Sequence, residues 1–298
     1  MNVKGIVFTI FSAILFGITP ILASYIYCLG AGPITVVFFR SLFVLPILFI
    51  IMKLRKVSLY ISRYDLYHTA IIAMLGSGLT TMLLFSSYQY IDVGSATTLH
   101  FLYPICVSLL CFFVYREALS KRKILSLCFA GIGTLCFFDI SKLESMLGIL
   151  LAILSAITYA FYMVQLAKKH LTKRNQYLIS FYMAFFTVIE TLLYHCIQPS
   201  ITMSLSTQAY IFLCILSIIS SFLAVVLLQM GIRELGPSNA SLFCLFEPIT
   251  SIFLGAIFLH EAITLQTIVG CVIILLSLIV FTLSEKKKNV STSSENNS

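Results

Sequence analysis

The chain has 298 residues, of which 60% are hydrophobic and only 10% are charged. Soluble domains carry about 25% charged residues, so this composition excludes a water-soluble globular protein. The net charge is +8, from 19 Lys and Arg against 11 Asp and Glu. A nucleic-acid-binding role would need a coherent basic surface with readout residues, which the short connections between apolar segments do not supply.

Ten apolar segments follow one another along the chain, several of them reaching the roughly 20 residues that cross a bilayer core of about 30 Å. The first segment is longer than the apolar core of a signal peptide, so we interpret it as a membrane helix. The connections are too short to hold a soluble catalytic domain, so the sequence predicts an all-α integral membrane protein. The predicted spans are 5-27, 34-52, 66-87, 94-115, 122-139, 146-167, 177-197, 209-230, 238-259 and 264-283.

The Lys and Arg residues are distributed asymmetrically about these spans. With ten spans, all but two of the 19 cations fall on one side; Arg40 lies within the second span and Lys142 falls on the opposite side. The positive-inside rule makes the cation-rich side cytoplasmic, which predicts that both termini are cytoplasmic. Residues 285–298 carry too few apolar side chains to bury, so they are predicted to form a disordered cytoplasmic tail.

The two halves of the chain resemble each other. A Gly-Ile pair followed seven residues later by Ser-Ala-Ile begins at Gly5 and again at Gly148, 143 residues on. The sequence therefore predicts a first five-helix repeat at 1–140 and a second at 141–284. Because five is odd, the second repeat enters the membrane in the opposite orientation. Inverted repeats suit alternating access around a site near the midplane.

A second correspondence lies in the fourth and ninth spans. Pro104 precedes Glu117 by 13 residues, and Pro248 precedes Glu261 by the same distance, 144 residues on. Proline removes a backbone donor and interrupts the helix. We therefore expect both spans to be irregular near their prolines, and we treat Pro104 and Pro248 as structural residues.

These features resemble the drug/metabolite transporter superfamily, and within it the EamA-type group with two five-helix units. The resemblance covers about residues 5–139 and 146–283. It rests on the small-residue pattern FSAILFG that ends at Gly17, on the Phe39-Arg40 pair and on the Pro-then-Glu endings of the fourth and ninth spans.

The family resemblance implies secondary transport of small organic metabolites or drugs, often outward, through a cavity formed by helices 1, 3, 4, 6, 8 and 9. Many relatives carry Trp in the first helix where this chain has Phe16. We accordingly place Phe16 in the substrate-binding lining.

Glu247 is the leading candidate for the functional site. A charged group inside the membrane costs a few kcal/mol and is by default a functional hypothesis. Pro248 follows it, so the carboxylate stands beside a helix carbonyl that lacks its usual donor. The site suits a proton or a cationic substrate group. The alternative is that Glu247 only accepts hydrogen bonds at a helix crossing.

His100 lies four residues before Pro104, in the position that corresponds to the Glu247 region of the second repeat. An imidazole, with an ordinary pKa of about 6.5, can exchange protons near neutral pH; a structural histidine is the alternative. Tyr103 and Tyr159 are assigned to the substrate-binding lining, because tyrosine combines an apolar ring with a hydroxyl. Gln229 is a further polar contact, or otherwise a helix-end residue.

Arg40 is interpreted as a structural residue. A guanidinium can reach toward headgroups or carbonyls, and the resemblance places the second helix outside the cavity. Glu190, in the seventh span, could pair with Arg40 only if the second and seventh helices approach each other.

No motif in the sequence predicts a cofactor or a metal site. The nine cysteines show no CxxC spacing, and no HExxH or phosphate-loop motif occurs, so the predicted energy source is a gradient. We predict a multi-pass secondary active transporter of the cell (inner) membrane, with a small-molecule substrate, the lipid bilayer and protons as its partners. A facilitator or exchanger, or a membrane-embedded lipid-modifying enzyme, are the alternatives.

Overall fold

The computed structural model describes residues 2–117, 120–137, 145–258 and 263–295, with side chains described as far as residue 283. Its regular structure is entirely helical. The ten helices are α1 (Val3–Cys28), α2 (Pro33–Leu54), α3 (Arg63–Ser87), α4 (Val93–Tyr115), α5 (Lys121–Leu135), α6 (Met146–Lys168), α7 (Gln176–Ile197), α8 (Thr207–Leu235), α9 (Pro237–Phe258) and α10 (Leu265–Glu295).

Nine of these helices contain segments long and apolar enough to cross a bilayer. The other, α5, has 15 residues; the predicted end of the fifth span, Lys142 and the predicted repeat boundary at 140/141 lie outside the described residues. The all-helical membrane fold agrees with the prediction from the sequence. In α10 the membrane span ends at Leu283 and the helix continues to Glu295; disorder of the tail stays a prediction.

The two repeats have matching helix boundaries. The helices α1 to α5 begin at residues 3, 33, 63, 93 and 121, and α6 to α10 begin at 146, 176, 207, 237 and 265. Every pair is 143 or 144 residues apart, and α2 and α7 are both 22 residues long. The sequence duplication therefore extends to the whole helical plan.

The fourth helix of each repeat is broken at the same place. α4 stops at His100 and resumes at Tyr103, whereas α9 stops at Phe243 and resumes at Phe246. Each second half is 13 residues long and carries its proline in the first turn. Because proline cannot donate to the carbonyl four residues earlier, the helix restarts there. The irregularity predicted from Pro104 and Pro248 is present in both repeats.

The third helix of each repeat contains a π-helical segment. In α3 the segment is Ala73–Gly78, and in α8 it is Ser217–Ala224. Such segments widen the helix locally, shift the faces of the residues that follow, and occur frequently at functional sites. Their repetition at equivalent positions makes them a property of the duplicated unit.

Helices α5 and α10 pack against each other around a pseudo-twofold axis. Ser126 and Ser277 exchange hydrogen bonds through their hydroxyls and carbonyls at 2.7–3.0 Å. Gly133 approaches Gly270 so closely that a Cβ on either would lie 2.8–2.9 Å from the other's carbonyl oxygen. Residue numbers increase along α5 from Ser126 to Gly133 while those of their partners decrease along α10 from Ser277 to Gly270, so the two helices are antiparallel. This is the relation that inverted five-helix repeats require.

The basic connections of both repeats meet at one end of the bundle. Arg174 pairs with Asp65 at 2.9 Å between Nε and Oδ2, and Asn2 donates to Glu234 at 2.6 Å. Lys123 donates to Asn239 at 3.4 Å. The loops that carry the cations therefore share one face; its assignment to the cytoplasm stays a prediction.

Candidate functional site

A cavity with polar and apolar lining lies among six helices from both repeats. It holds about 590 Å³ of empty space, counting the open space at its mouth. Its lining combines seven hydroxyl-bearing Ser and Thr residues with aromatic rings and one charged group. The lining residues are Phe16, Arg40, Ser41, Ser77, Thr80, Thr81, Tyr159, Tyr162, Ser180, Met183, Ala184, Thr187, Ser221 and Val225.

The π-helical segments bring polar residues to this cavity. Ser77 belongs to the segment of α3, with Thr80 and Thr81 in the turn that follows it; Ser221 belongs to the segment of α8. Most lining hydroxyls are anchored to the bundle: Thr81 donates to the carbonyl of Gly78 at 2.9 Å, for example. The hydroxyl groups of the cavity wall are therefore held in place by the helices themselves.

Arg40 is the one charged residue in the lining. Its side chain is 6% exposed, and Nε donates to the Ser221 hydroxyl at 2.9 Å. The Ser217 hydroxyl donates to the Arg40 carbonyl at 2.8 Å, and the guanidinium carbon lies 5.6 Å from the ring centre of Phe85. Two serines of the α8 π-segment thus hold Arg40 across the boundary between the repeats.

The expectation that the second helix lies outside the cavity is wrong. Helix α2 contributes Arg40 and Ser41, and α7 contributes four residues, whereas α4 and α9 supply none of the lining. The guanidinium does not reach for headgroups, because its partner Ser221 is the central residue of the 29-residue α8. The cause is the packing of α2 along α7 and the π-segment of α8, which the resemblance does not reveal.

A second group, of aromatic and ionisable residues, lies beside the cavity where α4 and α9 are broken. The Tyr103 and Tyr159 rings meet edge to face at 4.7 Å, and each lies 5.3 Å from the His100 ring. Glu247 lies within electrostatic range of both tyrosines. Tyr159 belongs to both groups, since it also lines the cavity.

Glu247 lies in the first turn of the second half of α9. The N-terminal end of a helix carries a partial positive charge, which favours a carboxylate there. The side chain is half-buried, and it makes no ion pair with any described residue. Helix α1 crosses at this point, because a Cβ on Gly17 would lie 2.9 Å from the Glu247 carbonyl oxygen.

His100 is buried and has a defined hydrogen bond. Its Nδ1 lies 2.9 Å from the Ser155 hydroxyl oxygen, and that hydroxyl donates its own proton to the Ala152 carbonyl at 2.6 Å. Nδ1 must therefore carry a hydrogen and donate, which leaves Nε2 of the neutral ring as an acceptor. The His100 ring packs against the rings of Tyr103 and Tyr159.

Gln229 lies behind the cavity wall. It is 1% exposed, and its amide nitrogen donates to the Ser180 hydroxyl at 3.1 Å. Ser180 lines the cavity, so Gln229 supports a lining residue and does not contact the empty space directly. Phe16 and Tyr159 are the two predicted binding residues that line the cavity.

Glu190 and Arg40 are not paired, although α2 and α7 are packed together. Arg40 donates to Ser221 instead. The Glu190 Oε2 atom is buried without a hydrogen-bond partner among the described residues, against the Cα of Gly78 in the α3 π-segment. Sequence reasoning also missed the hydroxyl-bearing lining residues, since Ser and Thr are frequent in membrane helices and give no distinctive pattern.

The described residues contain no group of three His, Cys, Asp or Glu side chains that could hold a metal ion. The site consists of a polar cavity between two inverted helical repeats, with broken helices beside it. This arrangement is typical of membrane transporters built from inverted repeats.

Comparison with known proteins agrees with this class. The profile of the EamA-like transporter family matches residues 3–138 and 146–283, and the chain belongs to this family. An uncharacterized transporter of Clostridium kluyveri is 22% identical over 96% of this chain and 95% of its own length. The uncharacterized transporter YoaV of Bacillus subtilis is 26% identical, over 80% of this chain and 84% of its own.

A solved crystal structure has the same fold. It superposes with a TM-score of 0.78 at 14% identity, covering 95% of this chain and 99% of that one. The chain is thus a multi-pass membrane transporter with two EamA units, and the family points to transport rather than to enzymatic activity.

Proposed function

We propose that this protein is a secondary active transporter of small organic metabolites or drugs, which exports its substrate by alternating access in the cell membrane and couples export to proton entry. One observation carries the proposal: the polar cavity lies between the two inverted repeats, with π-segments from both repeats in its wall. A small movement of one repeat against the other would change which side of the membrane the cavity faces.

The broken helices support a rocking motion. Helices α4 and α9 are interrupted at equivalent residues, and α1 is interrupted after Gly17, beside the Glu247 carbonyl. Such interruptions reduce the number of intrahelical hydrogen bonds that a bend must break. The three broken helices meet near Glu247, which gives the repeats a common place to pivot.

Glu247 is the proposed proton carrier, and His100 a second proton acceptor. The carboxylate is half-buried and pairs with no cation among the described residues, so a proton can neutralise it without breaking an ion pair. It lies within electrostatic range of Tyr159, which lines the cavity. Protonation at Glu247 can therefore influence the state of the cavity wall.

The test is proton-coupled flux in proteoliposomes containing a trapped pH-sensitive dye. A panel of amino acids, nucleosides and organic amines is added in turn, with and without an imposed pH gradient. For a transported compound, we expect proton movement with the wild type, and uptake that increases with the gradient. In Glu247→Gln the carboxylate cannot bind and release a proton, so uptake should no longer respond to the gradient.

Glu117→Gln is the matched control. Glu117 lies at the end of α4, 41% exposed and 3.9 Å from Lys123, and exposed ion pairs contribute at most about 1 kcal/mol. This variant should respond to the gradient like the wild type. Equal gradient dependence in Glu247→Gln would remove Glu247 from coupling. Counterflow without any gradient dependence in the wild type would point to a facilitator or exchanger.

A further inference from the structure

We propose that the cavity is an anion site: Arg40 binds the carboxylate group of the transported solute. The inference deepens the proposed function, and it rests on that function for the claim that the bound solute is transported. It reverses the expectation from Glu247 of a cationic substrate, because the charge that faces the empty space is the guanidinium and not the carboxylate.

The first argument is the missing counter-ion. Arg40 is 6% exposed, and a buried charge is costly unless it is paired. Among the described residues it makes no ion pair, and its one side-chain hydrogen bond uses Nε and the neutral Ser221 hydroxyl. The two terminal amino groups of the guanidinium donate to no described residue. They form the face that can hold a carboxylate through two parallel hydrogen bonds.

The second argument is the hydrogen-bonding character of the surrounding wall. None of the described Asp and Glu residues lines the cavity. The hydroxyl of Tyr159, which lines the cavity, makes no hydrogen bond to any described residue. Hydroxyl donors beside a fixed guanidinium provide the complement of an anion. The rings of Phe16 and the two tyrosines provide apolar contact for the rest of the solute.

The third argument is the number of charges. Arg40 is the one charged lining residue, so it can neutralise one negative charge. A dianionic phosphate monoester would keep a second, uncompensated charge in a site of low dielectric constant, which is unfavourable. A monocarboxylate leaves no net charge. The site should therefore prefer a carboxylate to a phosphate monoester of the same size, and reject amines.

The test is binding to the purified full-length protein in detergent, measured by the shift of its thermal unfolding midpoint. Detergent avoids the permeation of protonated acids through lipid. The probes are benzoate and 4-phenylbutanoate, each with its primary amide, together with phenyl phosphate and benzylamine. We expect the two carboxylates to raise the midpoint and the amides, the phosphate and the amine to have little effect. Equal shifts by an acid and its amide would overturn the proposal.

Arg40→Gln should weaken carboxylate binding about tenfold or more, since a charge-assisted bond is lost. Arg40→Lys keeps the charge but not the paired donors, so it should bind the carboxylates at intermediate strength. Lys53→Gln is the control: it removes a cation from the same helix at its exposed end, and binding should be unchanged. Unchanged carboxylate binding in Arg40→Gln would overturn the proposal.

Arg40→Gln could fail to fold, since Arg40 braces α2 against α8. In that event, two measurements still test the proposal: carboxylate binding by Arg40→Lys, and binding of each acid and its amide by the wild type. The two proposals fail separately. Carboxylate binding without flux of any compound would contradict the transport proposal and leave the anion-site proposal intact. Flux of amines with no carboxylate binding would contradict the anion-site proposal and leave the transport proposal intact.

Discussion

Arg40 and Glu247 are both ionisable residues inside membrane helices, yet their surroundings differ. Arg40 faces empty space lined by hydroxyls and is held by two serines of the α8 π-segment. Glu247 lies at the start of a half-helix, beside tyrosine rings and under the crossing of α1. The first surroundings suit a polar solute that needs a counter-charge. The second, at a helix crossing beside tyrosine rings, suit an ion as small as a proton.

The difference separates two tasks that one residue could have combined. Solute binding is assigned to the cavity wall and proton transfer to the broken helices next to it, with Tyr159 contacting both regions. Three kinds of variant test these assignments. They change the helix crossing over Glu247, the carboxylate of Glu247 itself, or the tyrosine hydroxyls.

The largest expected effect is on the helix crossing. In Gly17→Ala the new Cβ would lie 2.7 Å from the Thr250 side chain and 2.9 Å from the Glu247 carbonyl oxygen. Overpacking of this kind costs about 1–3 kcal/mol, so the thermal unfolding midpoint in detergent should drop and flux should fall with it. Gly32→Ala is the control, since nothing lies within 4 Å of its Cβ. Equal midpoints for the two variants would contradict the close crossing.

The next effect separates the two regions. Glu247→Gln should bind 4-phenylbutanoate within about threefold of the wild type, because Glu247 does not line the cavity; a tenfold change would correspond to about 1.4 kcal/mol of lost interaction. Isothermal titration on both proteins measures this. A tenfold loss would mean that the carboxylate and the guanidinium belong to one site, and the division of tasks proposed above would be wrong.

The smallest expected effect concerns the tyrosine hydroxyls. The Tyr27 hydroxyl donates to the Phe85 carbonyl at 3.2 Å, whereas the hydroxyl of the neighbouring Tyr88 is buried with no hydrogen-bond partner among the described residues. A hydrogen bond contributes about 1 kcal/mol, so Tyr27→Phe should lower the unfolding midpoint and Tyr88→Phe should leave it unchanged or raise it. A larger drop for Tyr88→Phe than for Tyr27→Phe would show that the Tyr88 hydroxyl has a partner.

The sequence predicted the helical plan well because that plan follows from local properties. Apolar length marks the spans, and the prolines at 104 and 248 mark the breaks of α4 and α9. The π-segments were not predicted, since the sequences of Ala73–Gly78 and Ser217–Ala224 contain no residue that prevents an ordinary α-helix. The wider turns are stabilised by packing against neighbouring helices, and a hydropathy pattern does not show which helices are neighbours.

The candidate site was predicted only in part. Phe16 and Tyr159 line the cavity, but Arg40, interpreted as structural, is its one charged lining residue. A buried charge can be recognised from the sequence, whereas the direction it faces cannot. That direction depends on the rotation of α2 and on Ser221, which lies 181 residues away along the chain.

By itself the sequence determined that this protein lies in a membrane, that it is a tandem of five-helix units and where its fourth and ninth helices break, because hydrophobic length and missing backbone donors act within a few residues. Only the tertiary structure decided which ionisable group meets the cavity and which lies under a helix crossing. Those outcomes depend on how helices far apart in the chain rotate and pack against one another, which no local pattern contains.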